Sequence, residues 1–125
     1  KFIVPKIVEH FKQKSSTLKL GNIDVWRDFS DVRWIAEAYT SLLAMPANGI
    51  KRVNLCSGRL IGIQEIIVTL QEITRHKITI ETDDGLVRRS DIKRQCGDNK
   101  NLFELLPNLT APIPFKETLN WMVKS

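Results

Sequence analysis

The sequence is poor in the residues that catalysis and metal binding use most often. Its 125 residues include two cysteines, two histidines and one tyrosine. Cys56 and Cys96 lie far apart and offer neither a disulfide framework nor a zinc-ligand spacing, so we expect a reducing, cytoplasmic compartment. His10 and His76 each lie in a polar, lysine-flanked stretch, which is typical of solvated surface histidines. No H-x-x-x-H, C-x-x-C or D-x-D-x-D pattern occurs, so we expect no metal.

Long apolar runs are missing as well. No run approaches the roughly 20 residues of a membrane-spanning helix, and the first residues do not resemble a signal peptide. With 42% hydrophobic and 26% charged residues, the chain has the composition of one folded domain. Nineteen lysines and arginines against fourteen acidic residues leave a net charge of +5, which favours an anionic partner.

The hydrophobic spacing predicts helices that alternate with strands, which is typical of an α/β fold. The expected helices are Phe2 to Lys14, Ser30 or Asp31 to Leu43, Ile63 to Ile73 after Gly62, a short helix after Asp98 or Asn99, and a last helix from Pro114. The expected strands are two short ones around Gly21 and Asn22, one in Arg52 to Gly58, and Lys77 to Glu81. The inner stripe expected for the Ser30 to Leu43 helix is Val32, Ile35, Ala36, Tyr39, Leu42 and Leu43.

Three separated motifs resemble those of a known family. They are GNIDVWRDFSDVR at Gly21 to Arg33, NLCSG at Asn54 to Gly58, and RRSDI at Arg88 to Ile92. In this order and spacing they are similar to the C-terminal part of extended short-chain dehydrogenase/reductases of the NAD-dependent epimerase/dehydratase family. Within that family they resemble GDP-mannose 4,6-dehydratase and GDP-4-keto-6-deoxymannose reductase.

The resemblance implies that residues 1–125 are the C-terminal, substrate-binding portion of a nucleotide-sugar dehydratase, reductase or epimerase. An N-terminal Rossmann domain, which binds NAD or NADP and carries a Tyr-x-x-x-Lys pair, would lie outside this chain. The fold would then combine the final elements of a Rossmann-like parallel sheet, including a strand at Val53 to Leu55, with a small mixed α/β substrate-binding lobe. Tyr39 is followed by Leu43 where the pair requires lysine. We therefore expect the chain alone to bind no cofactor and to be inactive.

The resemblance also implies a set of substrate-binding residues: Lys6, Asn22, Arg27, Arg88, Ser90 and Asp91. A nucleotide diphosphate, most simply that of a GDP-sugar, presents adjacent anionic groups, which guanidinium forks bind by paired hydrogen bonds and lysine binds as a point charge. Asp91 is expected at a ribose hydroxyl, and the backbone of Leu20 to Asn22 near the base. Arg89 stands where the family usually has proline, which leaves the geometry of that loop open.

A stand-alone, non-catalytic basic module that binds nucleotides or RNA is the alternative. The densest basic cluster is Arg88 to Arg94, and it contains no aromatic residue, whereas RNA-binding surfaces interleave aromatic with basic side chains. We therefore expect a nucleotide sugar and the absent Rossmann domain as partners, leave a homo-oligomer open, and expect neither nucleic acid nor membrane.

Overall fold

The computed structural model describes residues 2–46, 49, 51–87 and 92–125. In chain order they form α1 (Ile3–Lys12), β1 (Thr17–Leu20), β2 (Trp26–Asp28), α2 (Val32–Leu43), β3 (Leu60–Gly62), α3 (Ile63–Thr74), β4 (Thr79–Thr82), a 3₁₀ turn (Asp84–Leu86), β5 (Arg94–Gln95), α4 (Lys100–Leu105) and α5 (Phe115–Lys124). The predicted helices and strands occur in the predicted order except for the strand in Arg52 to Gly58, and the sequence did not predict β3, the 3₁₀ turn or β5. None of the helices in this part of the chain is long and apolar enough to cross a membrane.

Two small sheets contain the strands. β1 pairs in parallel with β4, with Leu18 opposite Ile80. β2 is the central strand of the other sheet, antiparallel to β3 and parallel to β5. Arg27 lies in the middle of β2, opposite Ile61 on one side and Gln95 on the other. Because strands pair with β2 on both sides, the backbone of Arg27 has a fixed position.

The helices α1, α3 and α5 pack against one another and form the larger hydrophobic core with β1. α1 contributes four buried side chains at positions i, i+3, i+4 and i+7, which places them on one helix face: Val4, Ile7, Val8 and Phe11. Pro5 lies in the first turn of α1, where a missing backbone N–H costs nothing. Each large apolar side chain buried in this core contributes about 2 kcal/mol.

The helix α2 begins where the sequence predicts but buries a different face. Asp31 is its N-cap, and the Asp31 carboxylate accepts the backbone N–H of Arg33 at 2.8 Å. The buried residues of α2 are Trp34 and Ala38. Three residues of the predicted inner stripe are instead largely exposed: Val32 (62%), Tyr39 (57%) and Leu43 (86%).

A second, smaller core explains this orientation of α2. The fully buried indole of Trp34 packs with Leu102 and Leu106. Its Nε1–H donates to the carbonyl oxygen of Thr110 at 2.9 Å. A tryptophan whose N–H has a partner buries more apolar area than the aliphatic side chains beside it in the helix. The prediction that Tyr39 lies in the core was therefore wrong.

Residues 51–59 are irregular, so the strand predicted at Val53 to Leu55 was also wrong. A strand requires a neighbour that pairs with its backbone N–H and C=O groups, and no described strand pairs with this segment. Its contacts run through side chains instead, for example from Asn54 Nδ2 to the carbonyl oxygen of Asp98 at 3.1 Å. The glycine turn predicted at its end is present, since Gly58 has a φ of 72°.

Candidate functional site

Three of the predicted substrate-binding residues line one cavity. Lys6 of α1, Asn22 of the turn after β1 and Arg27 of β2 border a space of about 420 Å³, which we call the Lys6–Arg27 cavity. The rest of its lining is mostly apolar and consists of Phe2, Ile3, Leu20, Gly21, Val25, Ile63 and Leu86. Two basic residues from separate elements therefore line the same cavity beside apolar residues.

Lys6 reaches the cavity from the first turns of α1. Its side chain is half-buried, and Nζ donates a hydrogen bond to the carbonyl oxygen of Lys19 at 2.7 Å. This bond holds the flexible side chain against β1. An ammonium group has three N–H donors, and this bond uses one of them.

Arg27 reaches the same cavity from the middle of β2. It is half-buried, and its Nη1 donates to the carbonyl oxygen of Trp26 at 2.8 Å. The N–H of Trp26 donates to the carbonyl oxygen of Lys93 at 2.9 Å, which fixes the strand at this point. A guanidinium group presents five donors in a rigid fork, the geometry that suits adjacent phosphate oxygens.

Asn22 shapes the turn between β1 and β2. Its Oδ1 accepts the backbone N–H of Asp24 at 2.9 Å, which is an Asx turn. The Asp24 carboxylate in turn pairs with Nζ of Lys93 at 2.7 Å. Asn22 thus has a structural role, and its side-chain NH₂ group remains a donor for a ligand.

Arg88, Ser90 and Asp91, the other predicted substrate-binding residues, lie outside the described residues. The structure describes the residues before and after this segment. Leu86 lines the Lys6–Arg27 cavity, and Lys93 contacts both Trp26 and Asp24. The described ends of this segment therefore lie at the cavity and at β2.

Asp28 is a structurally important residue to which the sequence analysis assigned no role. Its carboxylate accepts bonds from the N–H and O–H of Ser57 at 2.9 and 2.6 Å, from the N–H of Gly58 at 2.9 Å, and from the N–H of Gly97 at 3.2 Å. These bonds tie β2 to two distant loops. No local pattern could reveal them, because the nearest partner lies 29 positions away in the chain.

The two cysteines lie near Asp28. Burial and the Asp28 carboxylate raise the pKa of the Cys56 thiol and the pKa of the Cys96 thiol. Both thiols are free, and a thiol must be deprotonated to act as a nucleophile. The arrangement therefore disfavours thiol catalysis near neutral pH. Among the described residues, no three His, Cys, Asp or Glu side chains converge as metal ligands.

Both histidines are half-buried and bonded to backbone oxygens, so the prediction of solvated histidines was wrong. Nδ1 of His10 lies 2.9 Å from the carbonyl oxygen of Lys6. Nε2 of His76 lies 2.8 Å from the carbonyl oxygen of Ser15. One ring nitrogen of each histidine is thus engaged in holding the fold.

A second cavity of about 340 Å³ can be compared with the Lys6–Arg27 cavity by the charge of its lining. Phe29 and Phe115 border it as a stacked ring pair, with centroids 5.4 Å apart. Arg59 is the one charged residue of its lining. The Lys6–Arg27 cavity, with two cations, is the better match for two adjacent anionic groups.

Comparison with known proteins gives relatives but no family model that matches. GDP-6-deoxy-D-talose 4-dehydrogenase of Aggregatibacter actinomycetemcomitans is 33% identical over 107 residues, which cover 86% of this chain and 36% of that protein. GDP-6-deoxy-D-mannose reductase of Pseudomonas aeruginosa is 34% identical over 91 residues, which cover 73% of this chain and 30% of that protein. The chain spans about a third of the length of these curated relatives.

A solved structure extends the likeness to almost the whole chain. RMD from Pseudomonas aeruginosa, complexed with NADPH, matches with a TM-score of 0.87 and 27% identity over 98% of this chain and 40% of that chain. This match confirms the predicted α/β fold class.

Proposed function

Because the chain belongs to the NAD-dependent epimerase/dehydratase family, we propose that it binds the nucleotide diphosphate of a GDP-type sugar nucleotide as part of a dehydratase, reductase or epimerase. The observation that carries this proposal is the meeting of Lys6 and Arg27 at one cavity. Both curated relatives have a GDP-linked deoxysugar in their names, which supports GDP as the nucleotide.

The contacts expected from Lys6 and Arg27 can be compared with the free energy that micromolar binding requires. A hydrogen bond to a charged group contributes about 1.5–3 kcal/mol. A micromolar dissociation constant corresponds to about 8 kcal/mol. Contacts from Lys6 and Arg27 would therefore supply roughly half of that binding free energy. The apolar wall and Asn22 would contact the uncharged parts of the ligand.

We assign the remaining predicted ligands, Arg88, Ser90 and Asp91, to the same site. The support is the position of the described residues before and after them, since Leu86 lines the cavity and Lys93 adjoins β2. In this proposal Arg88 provides a second guanidinium fork for the diphosphate, and Asp91 accepts a hydrogen bond from a ribose hydroxyl.

The nicotinamide cofactor belongs, in this proposal, to a Rossmann domain outside the chain. A dinucleotide site needs a glycine-rich turn between a strand and a helix, with open space above it. Here β3 joins α3 at Gly62, and a Cβ on Gly62 would lie 3.0 Å from Nε1 of Trp26, so the indole fills that space. The junction of β3 and α3 therefore lacks the open space that a dinucleotide site needs. That RMD is complexed with NADPH supports a nicotinamide cofactor in the whole protein.

The exposed face of α2 is our candidate surface for that domain. Tyr39 and Leu43 lie one turn apart on this face and are 57% and 86% exposed. Tyr39 also borders an open groove with residues 51–56, whose backbone has no strand neighbour in the described part of the chain. A domain packed there would cover the apolar face of α2.

Calorimetric titration separates this function from the alternative of a basic module for RNA. The chain is titrated with GDP-mannose and, separately, with a short single-stranded RNA. We expect saturable binding of GDP-mannose and no saturable binding of the RNA. Saturable RNA binding without a signal from GDP-mannose would contradict the proposed function.

We expect the purified chain not to convert a GDP-sugar, even with NAD or NADP added. The sequence has no Tyr-x-x-x-Lys pair, and Tyr39 is exposed on a face that we assign to domain packing. The measurement is nicotinamide absorbance over time, with a longer form of the protein that carries a Rossmann domain as the positive control. Hydride transfer by the pure chain would contradict the assignment.

We also place the protein in the cytoplasm. Cys56 and Cys96 are both free, and a reducing compartment maintains free thiols. Fractionation of cells that produce the tagged protein tests this location, and recovery outside the cytoplasmic fraction would contradict it.

A further inference from the structure

The wall of the Lys6–Arg27 cavity contains an unusually close approach of two backbone segments. A Cβ on Gly21 would lie 2.5 Å from the carbonyl oxygen of Leu86 and 3.2 Å from the nitrogen of Val87. Real Cβ atoms do not approach so closely, and backbone atoms cannot rotate away as a side chain can. Glycine is therefore the residue that lets these segments lie together.

Asp83 holds the other side of this contact. Its backbone N–H donates to the carbonyl oxygen of Leu20 at 2.8 Å, and its carbonyl oxygen accepts the N–H of Leu86 at 2.9 Å. Its carboxylate accepts the N–H of Gly85 at 2.9 Å. The turn that contains Leu86 is thus closed on itself and attached to the end of β1, directly beside Gly21.

We infer that Gly21 and Asp83 are positioning residues for the nucleotide-diphosphate site, acting through the backbone of Leu86 and Val87. This inference rests on the proposed function. Leu86 forms part of the cavity wall, and Val87 is the residue before Arg88. A shift of about one ångström in such a supporting element weakens a site because the groups it carries no longer reach their partners.

Four single substitutions test the inference in the chain, with affinity for GDP measured by calorimetry. Gly21→Ala forces the two backbones apart. Asp83→Ala removes the carboxylate bond to the Gly85 N–H and leaves the backbone bonds of Asp83 in place. Asp83→Asn keeps an acceptor oxygen for the Gly85 N–H. Asp98→Ala is the matched control for loss of a turn carboxylate, because the Asp98 carboxylate accepts the N–H of Lys100 at the same distance, 2.9 Å, and Asp98 does not line the Lys6–Arg27 cavity.

We expect Gly21→Ala and Asp83→Ala to weaken GDP binding about tenfold, and Asp83→Asn and Asp98→Ala to change it less than about twofold. The direction in which Asp83→Ala changes the affinity for GDP distinguishes a positioning role from a simple loss of charge. Loss of a negative charge alone would strengthen the binding of an anion, so a weaker Asp83→Ala variant beside an unchanged Asp83→Asn variant indicates positioning.

The results distinguish failure of the inference from failure of the proposed function. If the unsubstituted chain binds GDP and both Gly21→Ala and Asp83→Ala bind it equally well, the inference is overturned and the proposed function stands. An equal loss in all four variants also overturns the inference. If Gly21→Ala does not fold, the two Asp83 variants decide. If the unsubstituted chain does not bind GDP, the proposed function fails and the inference fails with it.

Discussion

The Arg27→Ala variant is expected to bind GDP about 10- to 100-fold more weakly than the unsubstituted chain. The physical reason is the loss of charge-assisted hydrogen bonds, which contribute about 1.5–3 kcal/mol. Arg27 lies in the central strand of its sheet, and Asp28 anchors that strand to two loops. The substitution should therefore remove the guanidinium group without moving the backbone. Calorimetric titration with GDP measures the effect.

Two controls make this prediction specific. Arg27→Lys keeps the charge but loses the fork, so it should bind with intermediate affinity. Arg59→Ala removes an exposed arginine that lines the second cavity, and it should bind GDP as the unsubstituted chain does. If Arg59→Ala and Arg27→Ala lost affinity for GDP equally, GDP binding would depend only on the net charge of the protein. That result would contradict a site at Arg27.

The Asp31→Ala variant is expected to lower the free energy of unfolding by about 3 kcal/mol, the sum of a lost helix cap and a buried hydroxyl left without its partner. The Asp31 side chain is 0% exposed. Its carboxylate caps α2 through the N–H of Arg33 and accepts the hydroxyl of Thr118 in α5 at 2.7 Å. It therefore joins the helix of the smaller core to a helix of the larger core. Urea denaturation measures the loss.

A matched control for Asp31→Ala is Asp24→Ala. Asp24 makes an ion pair of the same length, 2.7 Å, with Lys93, but its side chain is 58% exposed. Exposed ion pairs contribute about 1 kcal/mol or less, so Asp24→Ala should change stability little. If the two variants lose equal stability, burial of Asp31 is not the cause.

The same contacts predict how stability depends on pH. Hydrogen bonds from the Arg33 side chain and, second, from Thr118 lower the pKa of Asp31 from its ordinary 3.8 to about 2, against the opposing effect of burial. A carboxyl with a lowered pKa stabilises the folded state fully above its unfolded pKa and loses that effect as the pH falls. Asp31 should therefore contribute about 2 kcal/mol above pH 4 that disappears between about pH 4 and pH 2. The Asp31→Ala variant should lack this part of the acid transition.

The sequence predicted where helices begin more reliably than which face they bury. The cap at Asp31 is a local signal, and it is used as predicted. In α2, by contrast, Val32, Tyr39 and Leu43 form one apolar stripe and Trp34 with Ala38 another. Periodicity cannot choose between two apolar stripes, because the choice depends on the partners that fold against the helix. Likewise, Val53 to Leu55 has the composition of a strand, but a strand needs a neighbour that composition does not reveal.

In the candidate site, too, local sequence signals were predicted and contacts with distant residues were not. Lys6, Asn22 and Arg27 were predicted through a resemblance to known motifs, and the fold brings all three to one cavity. The contact of Gly21 with Leu86 and the roles of Asp28 and Asp83 escaped prediction, because these contacts are made with residues distant in the chain or with backbone atoms. The glycine beside Asn22 was the one visible signal, and it indicated a turn without indicating its contact with Leu86.

The most direct test of the central claim is to map the GDP-binding surface by amide chemical shifts in the isotope-labelled chain. The Lys6–Arg27 cavity and the second cavity have similar sizes, about 420 and 340 Å³, but different charge. We expect GDP to shift the amide signals of Lys6, Asn22 and Arg27 with one common dissociation constant and to leave the signals of Arg59 and Phe115 unchanged. Shifts confined to Arg59 and Phe115, or none at Lys6 and Arg27 at saturation, would contradict it.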